Sequence, residues 1–114
     1  MPLLTIETNI SLDDQDAQAL CSKASAQAAK LLGKPESYVL IAIRPGSIMS
    51  FGGNDSPCAM VELKSLGLPE QLTVSFSESL CEFISAETGI PGSRIYIQFS
   101  NPERHMWGWN GRTF

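Results

Sequence analysis

Shifted along itself by 56 residues, the chain meets its own pattern a second time. Gly33-Lys34-Pro35-Glu36-Ser37-Tyr38-Val39-Leu40-Ile41 falls over Gly89-Ile90-Pro91-Gly92-Ser93-Arg94-Ile95-Tyr96-Ile97, with Gly, Pro, Ser and the strand-like alternation matched without a gap. In the same register Pro2-Leu3-Leu4 lies over Cys58-Ala59-Met60, and Leu12 over Leu68. A repeat of this kind narrows the fold to two copies of one supersecondary unit. Each copy reads strand, helix, turn, strand.

An apolar stripe of Ala17, Leu20, Cys21, Ala24, Ala28 and Leu31 keeps a 3.6-residue spacing and predicts a first helix over Leu12 to Leu32. Ser11 with Asp14 three residues on resembles a capping box. Gly33 suits the position after the last helical residue, and Pro35 prevents continuation. In the second copy Pro69 suits the first helical position, Leu72, Phe76, Leu80, Phe83 and Ile84 form the stripe, and Gly89 with Pro91 repeats the stop. Aliphatic content predicts strands at Leu3–Thr8, Tyr38–Arg44, Cys58–Lys64 and Arg94–Phe99. Between the copies, Gly46–Pro57 is rich in Gly, Ser, Asn and Pro and reads as a loop.

The expected fold class is therefore α/β: a duplicated β-α-β unit forming a four-stranded mixed sheet. Right-handed crossovers put both helices on one face. The other face is left bare, yet Tyr38-Val39-Leu40-Ile41-Ala42-Ile43 is apolar at consecutive positions, as in a strand covered on both sides. Other subunits are expected to cover it.

The 114 residues suit one domain, 1–114. A chain this short buries about two-thirds of its unfolded surface, so association would help to stabilise it. Eight scattered Lys and Arg within a net charge of −4 argue against a nucleic-acid partner. No apolar run approaches the roughly 20 residues that span a bilayer. The start, Met1-Pro2-Leu3-Leu4-Thr5, has neither a basic segment nor a long apolar one, so no signal peptide is expected. Cys21, Cys58 and Cys81 are odd in number and form no C-x-x-C. With His105 the single histidine, no zinc-like ligand cluster is expected; the two cysteines on helical apolar faces are expected to be buried inert thiols, and a reducing, cytoplasmic compartment is expected. No cofactor motif is present: there is no P-loop, G-x-G-x-x-G, G-x-S-x-G or H-E-x-x-H.

Pro2 is the unusual residue. Methionine before a small second residue is normally excised, which would expose the proline nitrogen as a secondary amine. At the start of a buried strand such an amine loses proton affinity through desolvation, and a neighbouring lysine ammonium lowers it further. A neutral amine near pH 7 is a general base suited to taking a proton from carbon beside a carbonyl.

Pro2, Gly33-Lys34-Pro35, the run Met49-Ser50-Phe51-Gly52-Gly53-Asn54-Asp55-Ser56-Pro57-Cys58-Ala59, Arg94-Ile95-Tyr96-Ile97 and Gly108-Trp109-Asn110 to Thr113-Phe114 together resemble the macrophage migration inhibitory factor family of the tautomerase superfamily. The resemblance covers essentially the whole chain in order. It implies a homotrimer with active sites at subunit interfaces and keto–enol tautomerisation of phenylpyruvate-like α-keto acids, with D-dopachrome a substrate of some members. Pro2 would be the catalytic base, Lys34 the partner of the substrate carboxylate, and Ser65 and Leu66 part of the pocket lining. Tyr96 would enter an adjoining subunit's site, and Trp109 and Phe114 would form an aromatic wall. Strand alternation independently sets Ile95, Ile97 and Phe99 on one face and Tyr96 with Gln98 on the other, uncovered one. For Lys34 the dipole-favoured cation at a helix C-terminus is a second, compatible reading. Interface packing alone is the competing role for Tyr96, as core or interface filling is for Trp109 and Phe114.

The chain departs from the family at several positions. Gln98 stands where familiar animal members carry asparagine, which bears on the preferred ring substituent. Val61 replaces the second cysteine of a C-x-x-C, so Cys58 lacks a resolving thiol. Leu12 and Gly46 occupy the places of a receptor-binding charged pair. The alternative reading is a cytokine-like signalling trimer with a vestigial pocket. A third is a related amino-terminal-proline enzyme that decarboxylates, hydrates or dehalogenates, which requires an arginine or carboxylate near the proline that the sequence does not place.

Overall fold

The computed structural model describes residues 1–114. Its elements run β1 (Leu3–Thr8), α1 (Asp14–Leu32), β2 (Leu40–Arg44), β3 (Ala59–Lys64), α2 (Thr73–Thr88), β4 (Ile95–Ser100), β5 (Gly108–Trp109) and β6 (Arg112–Thr113). The first four strands form one sheet in the order β2-β1-β3-β4. β1 pairs parallel with β2, and β3 parallel with β4, each across its own helix. The two units join through antiparallel pairing of β1 with β3, from Leu3 opposite Lys64 to Thr8 opposite Ala59. The sheet is mixed because a parallel unit has been doubled about an antiparallel seam.

The repeat holds in three dimensions. Gly33 and Gly89 both take left-handed backbone after their helices, at φ 63° and 76°. Pro35 and Pro91 both stand extended (φ −60°, ψ 135° and φ −61°, ψ 141°) before one 3₁₀ turn, Glu36–Tyr38 and Gly92–Arg94. Glycine reaches the left-handed region at no steric cost, and proline cannot continue a helix, so each unit stops at the same place.

Leu4, Ile6, Val61 and Leu63 project from the two central strands onto Ala24 and Ala28 of α1 and Phe76, Leu80 and Ile84 of α2, all buried. Both helices therefore cover one face. On the opposite face Leu40 remains 63% and Tyr96 64% exposed. One chain leaves that face open to solvent.

Several element ends differ from expectation, most of them because a backbone donor is engaged elsewhere. α1 begins at Asp14, and its cap is Asp13, whose Oδ1 accepts from the Asp16 amide at 2.7 Å; Ser11 makes no capping box. A carboxylate beside the positive end of the helix dipole satisfies that end better than a hydroxyl two residues upstream. Pro69 is not the first residue of α2. Its backbone is extended (ψ 102°), and a 3₁₀ turn over Glu70–Leu72 precedes the helix. Tyr38 belongs to a 3₁₀ turn because its amide donates to Pro35 O, and β2 starts where the Leu40 amide reaches Pro2 O at 3.0 Å. β3 starts after Cys58, whose amide donates to Asn9 Oδ1, and β4 after Arg94, whose amide donates to Pro91 O.

The Gly46–Pro57 loop is ordered around one side chain. The guanidinium of Arg94 donates to the carbonyls of Phe51, Asn54, Ser56 and Pro57 and lies 5.0 Å from the centroid of the Phe51 ring. The β5–β6 hairpin is an addition to the expected elements. It turns at Asn110 and Gly111 with φ 53° and 73°, the pair of positive angles that an Asn-Gly two-residue turn supplies.

Candidate active site

Antiparallel pairing of Leu3 with Lys64 brings the start of β1 to the end of β3. Pro2 is fully buried there, and Ser65 and Leu66 follow β3 as buried residues on the adjoining strand. The third contribution comes from the end of α1. Because Gly33 is left-handed, the Lys34 amide turns back to Ala29 O at 3.1 Å, closing the helix. The side chain is thereby aimed across the sheet end. Lys34 Nζ donates to Ser65 Oγ at 2.9 Å and to Leu66 O at 2.7 Å. An ammonium has three donors, so the third N–H is left for the chain's terminal amine or, once Met1 is removed, for a ligand.

The C-terminal hairpin closes one side. The Trp109 ring meets Tyr38 edge-on, with centroids 6.2 Å apart, and stacks near-parallel on Phe114 at 6.5 Å. Two open clefts meet here. One, of about 280 Å³, is lined by Met1, Lys34, Tyr38, Leu66, Arg104, Trp109 and Phe114. The other, of about 320 Å³, reaches Pro2 and is bounded by Tyr38, Leu40, Trp107 and Trp109 among others. Met1, Tyr38 and Trp109 belong to both.

Electrostatics at this spot bear on the terminal amine. The Met1 ammonium has its pKa lowered, chiefly by burial, then by the charge of Lys34 and its hydrogen bond, and further by the charge of Arg104. All of these disfavour the protonated amine.

Pro2, Lys34, Ser65, Leu66, Trp109 and Phe114 thus converge in one place. Tyr96 and Gln98 do not join them. Tyr96 is level with Met60 and Met60 with Glu7, so it lies two strands across and at the far end of β1 from Pro2. Five residues along a strand amount to roughly 16 Å. At that far end Tyr96 packs on Phe51 with ring centroids 4.7 Å apart. Both Tyr96 and Gln98 point to the open face and are exposed. Cys58 is buried at 1% exposure, and Val61 fills the sheet core beside Leu63.

Two pocket residues lay outside the sequence expectation. The aliphatic run places Tyr38 at the start of a strand, whereas the 3₁₀ turn rotates it toward Trp109. Arg104 stands in an exposed polar turn, Arg104–Met106, where no periodicity marks it.

A family model described as macrophage migration inhibitory factor matches residues 1–114. A macrophage migration inhibitory factor homologue of Brugia malayi is 43% identical, covering 100% of this chain and 99% of that protein. The macrophage migration inhibitory factor of Xenopus laevis is 38% identical with the same coverage. Among solved structures, a macrophage migration inhibitory factor homologue from Prochlorococcus marinus superposes with a TM-score of 0.91 at 42% identity, over 98% of each chain. That of Trichinella spiralis gives a TM-score of 0.91 at 35% identity, over 98% of this chain and 99% of the other.

Proposed function

The chain belongs to the macrophage migration inhibitory factor family, and from that premise we propose that it is a keto–enol tautomerase for phenylpyruvate-like α-keto acids, an isomerase whose base is Pro2 after removal of Met1. One observation carries the reading: Pro2 lies buried at the start of β1, beside the end of β3 where Lys34 donates to Ser65 and Leu66. In the enol-to-keto direction the neutral proline nitrogen takes the enol proton and returns one to the adjacent carbon, so no net proton is consumed. The free N–H and charge of Lys34 pair with the substrate carboxylate, and Ser65 and Leu66 hold that lysine in place. The ring of the substrate rests on Trp109, Phe114 and Tyr38.

Tyr96 and Gln98 take part only from another copy of the chain. Their distance from Pro2 within one chain, and their exposure on the uncovered face, support a homotrimer with its sites between subunits. In such an assembly the open face of one subunit borders the Pro2 end of its neighbour. No helix is long and apolar enough to cross a membrane, and a cytoplasmic site of action is part of this proposal.

The deciding experiment follows ketonisation of enol-phenylpyruvate by ultraviolet absorbance, with Met1 removal checked by mass. A well-placed general base is worth roughly 10²–10⁴ in rate, and Pro2→Ala should lose that amount. Equal rates, or no turnover from the processed protein, would favour the signalling trimer with a vestigial pocket.

A further inference from the structure

Of the seven residues lining the cleft above Lys34, two carry cationic side chains and none an acidic one. That is unusual siting in a chain of net charge −4 with only eight Lys and Arg. The two cations differ in what they have left to give. Lys34 spends two of its three N–H donors on Ser65 Oγ and Leu66 O. Arg104 spends none: its guanidinium forms no hydrogen bond or ion pair with the chain, leaving five N–H donors for a ligand. The acid next to it, Glu103, is engaged instead by His105, with Oε2 and Nε2 3.4 Å apart.

Arg104 is nevertheless placed. Its guanidinium carbon lies 5.8 Å from the centroid of Phe114, which stacks on Trp109, which in turn meets Tyr38 edge-on. The aromatic wall thus carries a cation at its rim, held by ring stacking with its donors unspent. A flat ligand lying on that wall, with one carboxylate at Lys34, would meet Arg104 beside the rings.

We infer that Arg104 forms a second anion subsite, and that the preferred ligand is an aromatic 2-oxo acid bearing a second carboxylate rather than a monocarboxylate. This deepens the tautomerase reading and rests on it for the first carboxylate at Lys34. Arg104 is a specificity-determining residue that contacts substrate and takes no proton. A guanidinium matches a carboxylate through two parallel N–H donors, so its fork should outperform a lysine at the same position.

The test uses the processed full-length protein and two readouts. Binding is followed by quenching of tryptophan fluorescence with cinnamate and with 4-carboxycinnamate, planar analogues that carry one and two carboxylates and cannot tautomerise. Turnover is followed with enol-phenylpyruvate and its 4-carboxy derivative. The parent is expected to bind the dianion about tenfold more tightly, the weight of one partly exposed charge-assisted contact. Arg104→Ala should collapse that ratio toward unity, Arg104→Lys should leave an intermediate ratio, and Arg104→Glu should invert it. In turnover the same change should fall on KM more than on kcat. Equal affinity for the two analogues in the parent, or a ratio that Arg104→Ala leaves unaltered, overturns the inference. If neither enol is turned over while the analogues still discriminate through Arg104, the subsite stands and the tautomerase reading alone fails.

Discussion

Lys34 and Ser65 are 31 positions apart in sequence, yet Nζ of the first donates to Oγ of the second at 2.9 Å. The bond ties the end of α1 to the end of β3 beside Pro2. Ser65 is fully buried, and its hydroxyl has no hydrogen-bond partner other than the ammonium. In Ser65→Ala the ammonium keeps Leu66 O and loses its lateral restraint. We expect a stability loss of about 1–2 kcal/mol by denaturant unfolding, as for one part-buried charge-assisted bond. On the proposed mechanism KM for enol-phenylpyruvate should rise several-fold while kcat changes less, since Ser65 would position the lysine that pairs with the substrate carboxylate and would leave the proposed base untouched.

The amine at the head of the chain should titrate early. Burial and the charges of Lys34 and Arg104 lower the pKa of the Met1 amine, and buried Pro2 shares a cleft with Met1, so the proline amine freed by Met1 removal is expected to feel the same groups. A base works in its neutral form, so kcat/KM of the processed protein should rise with pH through a midpoint below the ordinary amine range of about 7.7–8.0. Lys34→Met or Arg104→Ala removes a cation and should move that midpoint upward. Stability carries the matching sign. Between the lowered value and the ordinary one the unfolded chain holds a proton that the folded chain has released, so stability should rise with pH across that window. A pH–rate profile whose midpoint ignores both substitutions would contradict this account.

The 56-residue repeat was legible because it rests on backbone demands that few residues meet. Gly33 and Gly89 supply left-handed helix ends, and Pro35 and Pro91 supply the extended residue after them. Hydrophobic spacing likewise marks Leu80, Ile84 and Ala24 for the core. Element ends were less legible, since they turn on local competition for single amides, as at Asp13 and Asn9. Of the site, Pro2 and Lys34 could be found by position. Arg104 could not, because an exposed arginine in a polar turn looks like any solvated cation until Phe114 is folded back beneath it. The hairpin has a local signal in Asn110-Gly111, a pair suited to a two-residue turn.

That turn holds two of the three rings of the aromatic wall. Gly111 has φ 73° and Asn110 φ 53°, and the strands they join carry Trp109 and end just before Phe114. Nothing lies within 4 Å of a Cβ built on Gly111, so the cost of Gly111→Ala is conformational alone. A left-handed non-glycine residue costs about 1–2 kcal/mol. The substitution should leave the sheet's unfolding transition nearly unchanged, since only the short hairpin bears the strain. Activity should suffer more: a several-fold rise in KM for aryl substrates is expected, with little change for a small aliphatic 2-oxo acid.

The placement of Tyr96 makes assembly testable through activity. Within one chain it lies two strands from β1 and level with Glu7, so it cannot reach its own Pro2 without breaking the sheet. A trimer whose sites lie between subunits would pair Pro2 of one copy with Tyr96 of the next. Pro2→Ala and Tyr96→Ala proteins, each impaired alone, should then complement when unfolded together and refolded as a mixture. With random assembly about a quarter of the sites would combine an intact proline with an intact tyrosine, so about a quarter of the parent rate should return. Mixing the two folded proteins without unfolding should restore nothing on the same timescale. If the co-refolded mixture only averages the two parents, Tyr96 does not act across a subunit boundary, and its packing on Phe51 is its whole role.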